Sequence, residues 1–215
     1  MLELYGHPFS SFTWKPLIAL YEREVPFTFH TVDPGHPNNQ ALIDRLSPTG
    51  HFPALVDGEV EVTQSNAVIE YLDLHGGAAP MVPEDRREAI EARMLAEVFD
   101  NYINVPLQRV VKEAFRPEDA KDPFGVTAAR KTLTKTYAWL ETKLADRTWA
   151  ISNRFSIADC AAAPALFYAD WVEPIPAGAV AEYRARLLAR DSVVRVVNEA
   201  RPYRKLFPLG APDRD

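Results

Sequence analysis

The sequence predicts an α/β domain with the element order βαβαββα, followed by an all-α helical domain. Three observations support this prediction. Strand-like and helical patterns alternate over residues 1–76, and a Gly- and Pro-rich stretch at 77–83 then interrupts the alternation in the manner of a linker. Apolar residues recur at helical spacing over much of residues 84–215. With 215 residues, 47% of them hydrophobic, the chain is long enough for two packed domains.

Two strand–helix units open the α/β domain. Leu2–Tyr5 is interpreted as a short strand and Pro26–Val32 as the second strand. Leu17–Tyr21 belongs to the helix between them, and Asn39–Leu46 is a short helix after the second strand. This order places the end of the first strand directly before a loop and a helix.

A hairpin that leads into a helix completes the domain. Ala54–Val56 and Val60–Thr63 are apolar runs on either side of Asp57-Gly58, the strongest short-range signal for a β-hairpin. Apolar residues then return at helical spacing over residues 67–75. The second hairpin strand therefore passes directly into a helix.

The junction between that strand and helix carries Gln64 and Ser65. The first N–H groups of a helix lack intrahelical partners and lie at the positive end of its dipole, which favours a carboxylate or phosphate. Pro53 precedes the first hairpin strand. Only about 5–6% of X–Pro bonds are cis, so frequency alone favours a trans bond. A cis bond would instead turn the backbone of Phe52 outward, free to pair with an extended peptide.

Two apolar stripes and one capping motif mark the helical domain. Ser156-Ile-Ala-Asp159 resembles a capping box and predicts a helix that runs to about residue 171. The tail over 201–210 is too proline-rich for a regular helix and is predicted to fold back over the first domain. Both stripes are interpreted as core: one is Ile90, Met94, Val98 and Tyr102, and the other is Leu133, Tyr137, Leu140 and Leu144.

Composition disfavours several classes of function. A net charge of −6 and a pI of about 5.4 argue against nucleic acid as a partner. No run of 18 apolar residues is present, and the N-terminus lacks the features of a secretory signal, so a cytoplasmic protein is expected. Cys160 is the single cysteine, and no cluster has metal-ligand spacing, so neither an internal disulfide nor a metal is expected.

The segment from Ser47 to Leu72 resembles the glutathione site of cytosolic glutathione S-transferases. The family pattern joins a Pro-x-Leu-x-Asp-Gly hairpin to Glu/Gln-Ser, a small residue, an apolar pair and Tyr-Leu, and this chain matches it almost residue for residue. The resemblance implies a thioredoxin-like first domain, a helical second domain and a homodimer that takes part in detoxification. It also implies that glutathione binds as a co-substrate through Ser10, Ser11, His51, Phe52, Pro53, Gln64 and Ser65.

The loop after the first strand resembles the serine-type classes of the same family. Ser10-Ser11-Phe12-Thr13-Trp14-Lys15 is similar to the Ser-Ser-Cys-x-Trp-Arg motif of the zeta class. By position, the resemblance implies that Ser10 is the catalytic serine and Ser11 its neighbour. Tyr5 is an alternative, because other classes place a tyrosine at the end of this strand. No cysteine occurs in this loop, which disfavours redox chemistry.

A serine hydroxyl in this loop would act on the glutathione thiol. A free thiol has a pKa of about 8.5, and a hydrogen bond to a charged group contributes about 1.5–3 kcal/mol, so one donor lowers the pKa by roughly one to two units. The alternative is that Ser10, Ser11 and Thr13 only cap the helix. Because proline is tolerated best in a first turn, Pro16 predicts a helix that begins near Thr13, with both serines in the preceding loop.

Two charged residues have open interpretations. Lys15 adds positive charge near the thiolate, although such a lysine is usually exposed. Asp100 lies within a helix, and in several related classes an acidic residue there reaches the γ-glutamyl amine across a dimer interface. The alternatives for Asp100 are a solvated carboxylate or a pair with an arginine.

The second substrate is expected between the two domains, over Ser10, and aromatic walls there would suit an apolar electrophile. Two alternatives stay open. A zeta-like protein would isomerise a dicarboxylate such as maleylacetoacetate, although Phe12 replaces the cysteine of that motif. A protein of the same fold could also bind glutathione without turnover. The candidate walls are His7, Phe9, Phe12, Tyr102, Arg109, Phe115, Trp171 and Phe207.

Overall fold

The computed structural model describes all residues from 1 to 215. Its N-terminal domain has the predicted βαβαββα order and confirms the thioredoxin-like fold. The strands form one mixed sheet in the order β2-β1-β3-β4, in which β2 is parallel to β1, and β3 is antiparallel to both of its neighbours. The elements are β1 (Leu2–Gly6), α1 (Ser11–Glu22), β2 (Phe27–Thr31), α2 (Pro37–Leu46), β3 (Ala54–Asp57), β4 (Val60–Thr63) and α3 (Ser65–Leu72).

The C-terminal domain is entirely helical, as predicted. Its first helix continues without a break from α4 through a π-helical segment into α5. No helix combines the length and the apolar character needed to cross a bilayer. The elements are α4 (Arg86–Val98), the π segment (Phe99–Asn104), α5 (Val105–Lys112), α6 (Pro123–Leu144), α7 (Ile157–Val172), α8 (Ala179–Leu188), α9 (Asp191–Ala200) and a 3₁₀ helix (Arg201–Leu206), with single 3₁₀ turns at 113–115 and 118–120.

Helix α7 is the centre of this domain, and every residue in it except Trp171 is buried. Helix α1 packs against α7 across the domain boundary: the ring centroid of Trp14 lies 4.9 Å from that of Phe167 and 5.3 Å from that of Tyr168. The side chains from both domains belong to one hydrophobic core. Because Trp14 is fully buried, this contact fixes α1, and the loop before it, relative to the helical domain.

The predicted capping box begins α7. The Ser156 hydroxyl accepts from Ala158 N at 3.3 Å and donates to Asp159 Oδ2 at 2.9 Å. The same carboxylate accepts from the backbone N–H of Ser156 (2.9 Å) and of Ala150 (2.8 Å), and from the Tyr183 hydroxyl (2.6 Å). Burial outweighs these hydrogen bonds and raises the pKa of Asp159 to about 6.

One apolar stripe is core and the other is not. Leu133, Tyr137, Leu140 and Leu144 are buried, as predicted. The prediction for the α4 stripe is wrong, because Ile90, Met94 and Tyr102 are 67%, 45% and 55% exposed. Alanines let α4 approach α7 closely, so the side of the helix that carries these small residues faces inward. The buried side consists of Ala89, Ala92, Leu95, Ala96, Phe99 and Ile103.

The linker and the tail both contact the first domain. The buried Arg23 guanidinium donates to the carbonyls of His75 (2.6 Å) and Ala78 (2.9 Å), so the linker is held against α1. The tail does fold back: Tyr203 packs edge-on against His7, with ring centroids 4.8 Å apart. The tail contains no α-helix: Arg201–Leu206 form a short 3₁₀ helix, a conformation that accepts Pro in its first turn.

Candidate active site

The register of the sheet brings three loops together at one end. Tyr5 of β1 lies opposite Ala54 of β3, and Ala54 lies opposite Thr63 of β4. Neighbouring strands are about 4.8 Å apart, so Tyr5, Ala54 and Thr63 lie in a row that is roughly 10 Å long. The loop before α1, the segment before β3 and the start of α3 therefore border one another. These are the three segments that the sequence singled out.

Ser10 is the N-cap of α1. Its hydroxyl oxygen accepts from Thr13 N at 3.3 Å, and its carbonyl accepts from Thr13 N and Trp14 N, each at 3.0 Å. The prediction that α1 begins near Thr13 is wrong. The extra turn buries the side chains of Ser11 and Thr13, which offsets the hydrogen bond that Pro16 cannot donate. The cap uses only a lone pair of Ser10, so the hydroxyl hydrogen has no acceptor in the chain.

Ser11 differs from its neighbour. It is only 4% exposed, and its hydroxyl donates to Asn104 Oδ1 in the π segment at 3.1 Å. That hydrogen is therefore already in use. The alternative donor, Tyr5, donates to Glu3 Oε2 at 3.3 Å, and burial and the Glu3 carboxylate raise its pKa. Of the three candidate hydroxyls, Ser10 alone keeps a free hydrogen.

The second loop presents a free backbone. The Phe52–Pro53 peptide is cis. Neither the N–H nor the C=O of Phe52 has a hydrogen-bond partner in the chain, whereas the neighbouring His51 N–H donates to Ser47 Oγ at 3.0 Å. The exposed His51 ring is oriented by Thr49, whose hydroxyl lies 2.7 Å from Nδ1. An extended ligand could pair with the free groups of Phe52.

The third segment is the N-terminus of α3. Gln64 is its N-cap, with φ 70° and ψ 118°, a sparsely populated conformation for a residue other than glycine that costs about 1–3 kcal/mol. The Gln64 side chain does not cap the helix. The first N–H groups of α3 are therefore free of a side-chain acceptor and suited to a carboxylate. Ser65 occupies the first helical position and is only 6% exposed.

A cavity of about 720 Å³ lies next to these loops, between the domains. The sequence-predicted residues on its wall are Ser10, Ser11, His51 and Phe52, together with His7, Phe9, Phe12, Arg109, Phe115 and Phe207. Pro53, Gln64 and Ser65 are not on its wall: they lie at the sheet end described above. The cavity therefore joins the Ser10 hydroxyl to a largely apolar space.

Two expected wall residues are elsewhere. Tyr102 is exposed and lies outside the cavity. The π segment turns Asp100 and Asn104 inward, and Tyr102, two positions from each of them, therefore lies on the opposite side of the helix. The Trp171 ring packs into the core of the helical domain, 4.8 Å from the Phe167 centroid and 5.1 Å from that of Phe207. Both expectations are corrected.

Sequence reasoning also missed part of the wall. Helix α5 supplies one continuous side of the cavity, and its strongly amphipathic pattern was the available signal. The nineteen wall residues include no Asp or Glu, and Arg109 is held from outside the wall by an ion pair with Asp122. The missed residues are Gly50, Val105, Leu107, Gln108, Val111, Lys112, Tyr168, Leu206 and Pro208.

His7 is a further polar group close to Ser10 on this wall. The Ser10 N–H donates to the His7 carbonyl at 2.9 Å, so a tight turn joins the two residues. His7 Nδ1 accepts from Phe9 N at 3.1 Å, and burial lowers the pKa of the His7 ring. The neutral ring therefore carries its hydrogen on Nε2, which has no acceptor in the chain.

Lys15 and Asp100 form a buried ion pair behind α1. Lys15 is fully buried, and its ammonium contacts Asp100 Oδ2, which also accepts from Asn66 Nδ2 at 3.2 Å. The expectation of an exposed Lys15 is wrong, as is that of an Asp100 that is solvated or paired with arginine. Burial lowers the pKa of Lys15 and raises that of Asp100, and their mutual attraction opposes both shifts.

Comparison with known proteins agrees with this architecture. The family model for the glutathione S-transferase N-terminal domain matches residues 4–80, and the model for the C-terminal domain matches residues 108–186. A crystal structure of a glutathione S-transferase from Methylobacillus flagellatus, with glutathione bound, superposes with a TM-score of 0.81 at 22% identity and covers 91% of this chain and 98% of that one. This structural likeness concerns the fold.

Curated relatives are distant in sequence but similar in length. A stringent starvation protein A homologue of Coxiella burnetii is 24% identical and covers 93% of each chain. A probable maleylacetoacetate isomerase of Vibrio cholerae is 27% identical and covers 79% of this chain and 81% of the relative. The two domain models together span most of the sequence, and they agree with the observed fold. The chain belongs to the cytosolic glutathione S-transferase superfamily.

Proposed function

We propose that the protein is a glutathione transferase in which Ser10 stabilises the glutathione thiolate. The observation that carries the proposal is the free hydroxyl hydrogen of Ser10 at the edge of the cavity, next to a neighbouring serine whose hydrogen is in use. A hydrogen bond to the sulfur and the positive end of the α1 dipole both favour the charged form. The hydrogen bond alone lowers the thiol pKa by roughly one to two units.

The three loops suit the three parts of glutathione. The γ-glutamyl carboxylate would bind at the start of α3, at Gln64 and Ser65. The cysteinyl backbone would pair antiparallel with Phe52, whose N–H and C=O are free. The glycine carboxylate would meet His51. This arrangement leaves the sulfur beside Ser10, since the register of β1, β3 and β4 sets the loops side by side.

The second substrate would occupy the cavity, where the aromatic wall suits an apolar electrophile. The thiolate sulfur attacks the electrophilic carbon, a C–S bond forms, and a leaving group such as halide departs with the electron pair. The thiol proton has already passed to solvent, so no group of the chain has to act as a base. The wall residues Phe9, Phe12 and Arg109 are the proposed contacts of the electrophile, with His7 as a hydrogen-bond donor.

A turnover screen tests this proposal against its alternatives. The protein would be mixed with glutathione and, in parallel, a halogenated aromatic or a maleyl acid. A conjugate supports the transferase. An isomer without net consumption of glutathione supports an isomerase, an alternative that the similarity to the probable maleylacetoacetate isomerase of Vibrio cholerae favours. Glutathione binding by calorimetry without either product supports a binding protein and contradicts the proposal.

We also propose that the protein is a homodimer. The outward side of the α4 helix carries Ile90, Met94 and Tyr102, all large and exposed, whereas its inward side already packs on α7. A second copy of the chain would remove this apolar surface from water. Light scattering coupled to gel filtration should give about twice the 24.2 kDa mass. Met94→Glu should lower that mass, and a monomeric wild type would contradict the proposal.

A further inference from the structure

The π segment carries two polar side chains toward the first domain. Asp100 is 8% exposed and Asn104 is fully buried, and both face the region between α1 and α3. π-Helical turns are rare and occur frequently at functional sites. Here the segment replaces α-helical turns within a continuous helix, at the point where that helix contacts the starts of α1 and α3.

One contact of the π segment holds the start of α1. Asn104 Oδ1 accepts the Ser11 hydroxyl at 3.1 Å, with both side chains buried. Ser11 is the first residue of α1 and directly follows Ser10. The position of the Ser10 hydroxyl thus depends on a residue in the other domain, 93 positions further along the chain.

A second contact holds the start of α3. Asp100 Oδ2 accepts from Asn66 Nδ2 at 3.2 Å, and Asn66 directly follows Ser65. The same carboxylate oxygen contacts the Lys15 ammonium of α1. Asp100 therefore lies between the two helices whose N-termini border the site.

The polar character of this contact is costly. Asn104 Nδ2, Asp100 Oδ1 and Asn66 Oδ1 are all buried without a partner in the chain. An apolar contact between these helices would bury none of them, and buried polar groups that lack partners destabilise a fold. The cluster is therefore better explained by the geometry that it imposes than by stability.

We propose that the π segment sets the geometry of the glutathione site, with Asn104 and Asp100 as positioning residues for the start of α1 and of α3 respectively. The inference rests on the proposed function. It separates two effects: the Asn104 contact governs the hydroxyl beside the sulfur, and the Asp100 contact governs the site for the γ-glutamyl carboxylate. The helical domain thereby controls both the ionisation and the binding of glutathione.

Asn104→Leu tests the α1 contact, because leucine has a similar volume and no acceptor for Ser11. Thiolate absorption of bound glutathione, followed against pH, should show a thiol pKa about half a unit to one unit higher than in wild type, a threefold to tenfold loss of thiolate at fixed pH. Asn104→Asp keeps an acceptor for Ser11 and should restore most of the shift. Glutathione affinity should change little in either variant.

Asn66→Ala tests the α3 contact. It leaves the Lys15–Asp100 ion pair intact, whereas a change at Asp100 would strand a buried ammonium and risk unfolding. The Kd for glutathione, measured by calorimetry, should rise about threefold to tenfold, because the start of α3 would no longer be held in place to bind the γ-glutamyl carboxylate. The thiol pKa of the bound ligand should stay at its wild-type value.

Thr136→Val is the matched control. The Thr136 hydroxyl contacts the carbonyl of Tyr102 in the same π segment at 3.3 Å, and it forms no hydrogen bond with α1 or α3. This variant should lose stability and keep both the thiol pKa and the Kd. If Asn104→Leu and Asn66→Ala behave like the control, the positioning role is overturned. A wild-type protein that binds glutathione without a lowered thiol pKa overturns the proposed function, and the inference with it.

Discussion

Two helices of this protein begin with a serine cap, and the two caps differ in whether the serine hydroxyl hydrogen has an acceptor. Ser10 before α1 and Ser156 before α7 each accept a backbone N–H at 3.3 Å. Three residues further on, α7 has Asp159, whose carboxylate takes the Ser156 hydrogen at 2.9 Å. α1 has Thr13 at the equivalent place, and its hydroxyl faces His7 N at 3.4 Å.

The difference shows how one residue type serves structure at one site and chemistry at another. The α7 cap is closed, because every polar atom of Ser156 is paired inside the core. The α1 cap is open. The Ser10 hydroxyl oxygen accepts the Thr13 N–H, but the hydroxyl hydrogen has no acceptor in the chain, and Ser10 lies at the edge of the cavity. A ligand anion such as a thiolate can complete the open cap, and nothing can enter the closed one.

The largest expected effect comes from breaking the closed cap. Asp159→Ala leaves the N–H groups of Ala150 and Ser156, and the hydroxyl of Tyr183, buried without an acceptor. We expect a loss of about 3–5 kcal/mol in the free energy of unfolding, measured by urea denaturation. A loss below about 1 kcal/mol would show that the α7 cap is not structural.

The closed cap should also make stability depend on pH. The pKa of Asp159 in the folded protein, about 6, lies above the usual value of 3.8, so the folded state binds this proton more tightly than the unfolded chain. The stability from Asp159 is therefore full below pH 4 and falls by up to about 3 kcal/mol between pH 4 and pH 6. Comparison of urea denaturation for wild type and Asp159→Asn over this range should show the slope in wild type alone. Equal slopes would contradict this assignment.

The open cap can be closed by one substitution. Thr13→Asp places a carboxylate three residues after Ser10, where it can accept the free hydroxyl hydrogen and repel a thiolate. We expect kcat/KM for conjugation to fall roughly tenfold to a hundredfold, because the Ser10 hydroxyl would no longer donate its hydrogen bond to the thiolate. Thr13→Val, of the same size and without charge, should keep most of the activity. Equal losses in the two variants would argue that space, and not the hydrogen bond, decides.

The smallest expected effect concerns the contact behind the open cap. Ser11→Ala and Asn104→Leu each remove the same hydrogen bond, so each should lower kcat/KM about threefold. The double variant should have the same kcat/KM as either single variant. The coupling energy between the two side chains would then be about 0.6 kcal/mol. Additive losses would mean that the two side chains act independently.

Local patterns were enough to predict the parts of the fold that depend on short stretches of chain. The hairpin at Asp57-Gly58 and the capping box at Ser156 are each encoded within a few residues, and both are present. The same holds for the position of Ser10 and Ser11 after β1 and for the turn into α3 at Gln64. The loop before α1, the segment before β3 and the start of α3 could be expected to lie side by side, because the element order already implied how the strands pair in the sheet.

Contacts between distant segments could not be predicted from one sequence. Lys15 and Asp100 are 85 residues apart, and neither spacing nor composition indicates that they pair. Ile90, Met94 and Tyr102 all face outward, because the opposite side of their helix packs on α7, and a helical pattern alone does not indicate which side a distant helix will cover. The predicted start of α1 near Thr13 is wrong for a related reason, since tertiary burial of Ser11 and Thr13 outweighs the local preference of Pro16.

An ultraviolet titration of protein-bound glutathione, following thiolate absorption against pH, tests the central claim most directly. Wild type, Ser10→Ala and Ser11→Ala would be compared at saturating protein. The open-cap account predicts a bound thiol pKa roughly one to two units below the free value of about 8.5, a return to that value in Ser10→Ala, and a change of about half a unit in Ser11→Ala. A lowered pKa that survives Ser10→Ala and disappears in Ser11→Ala would contradict it.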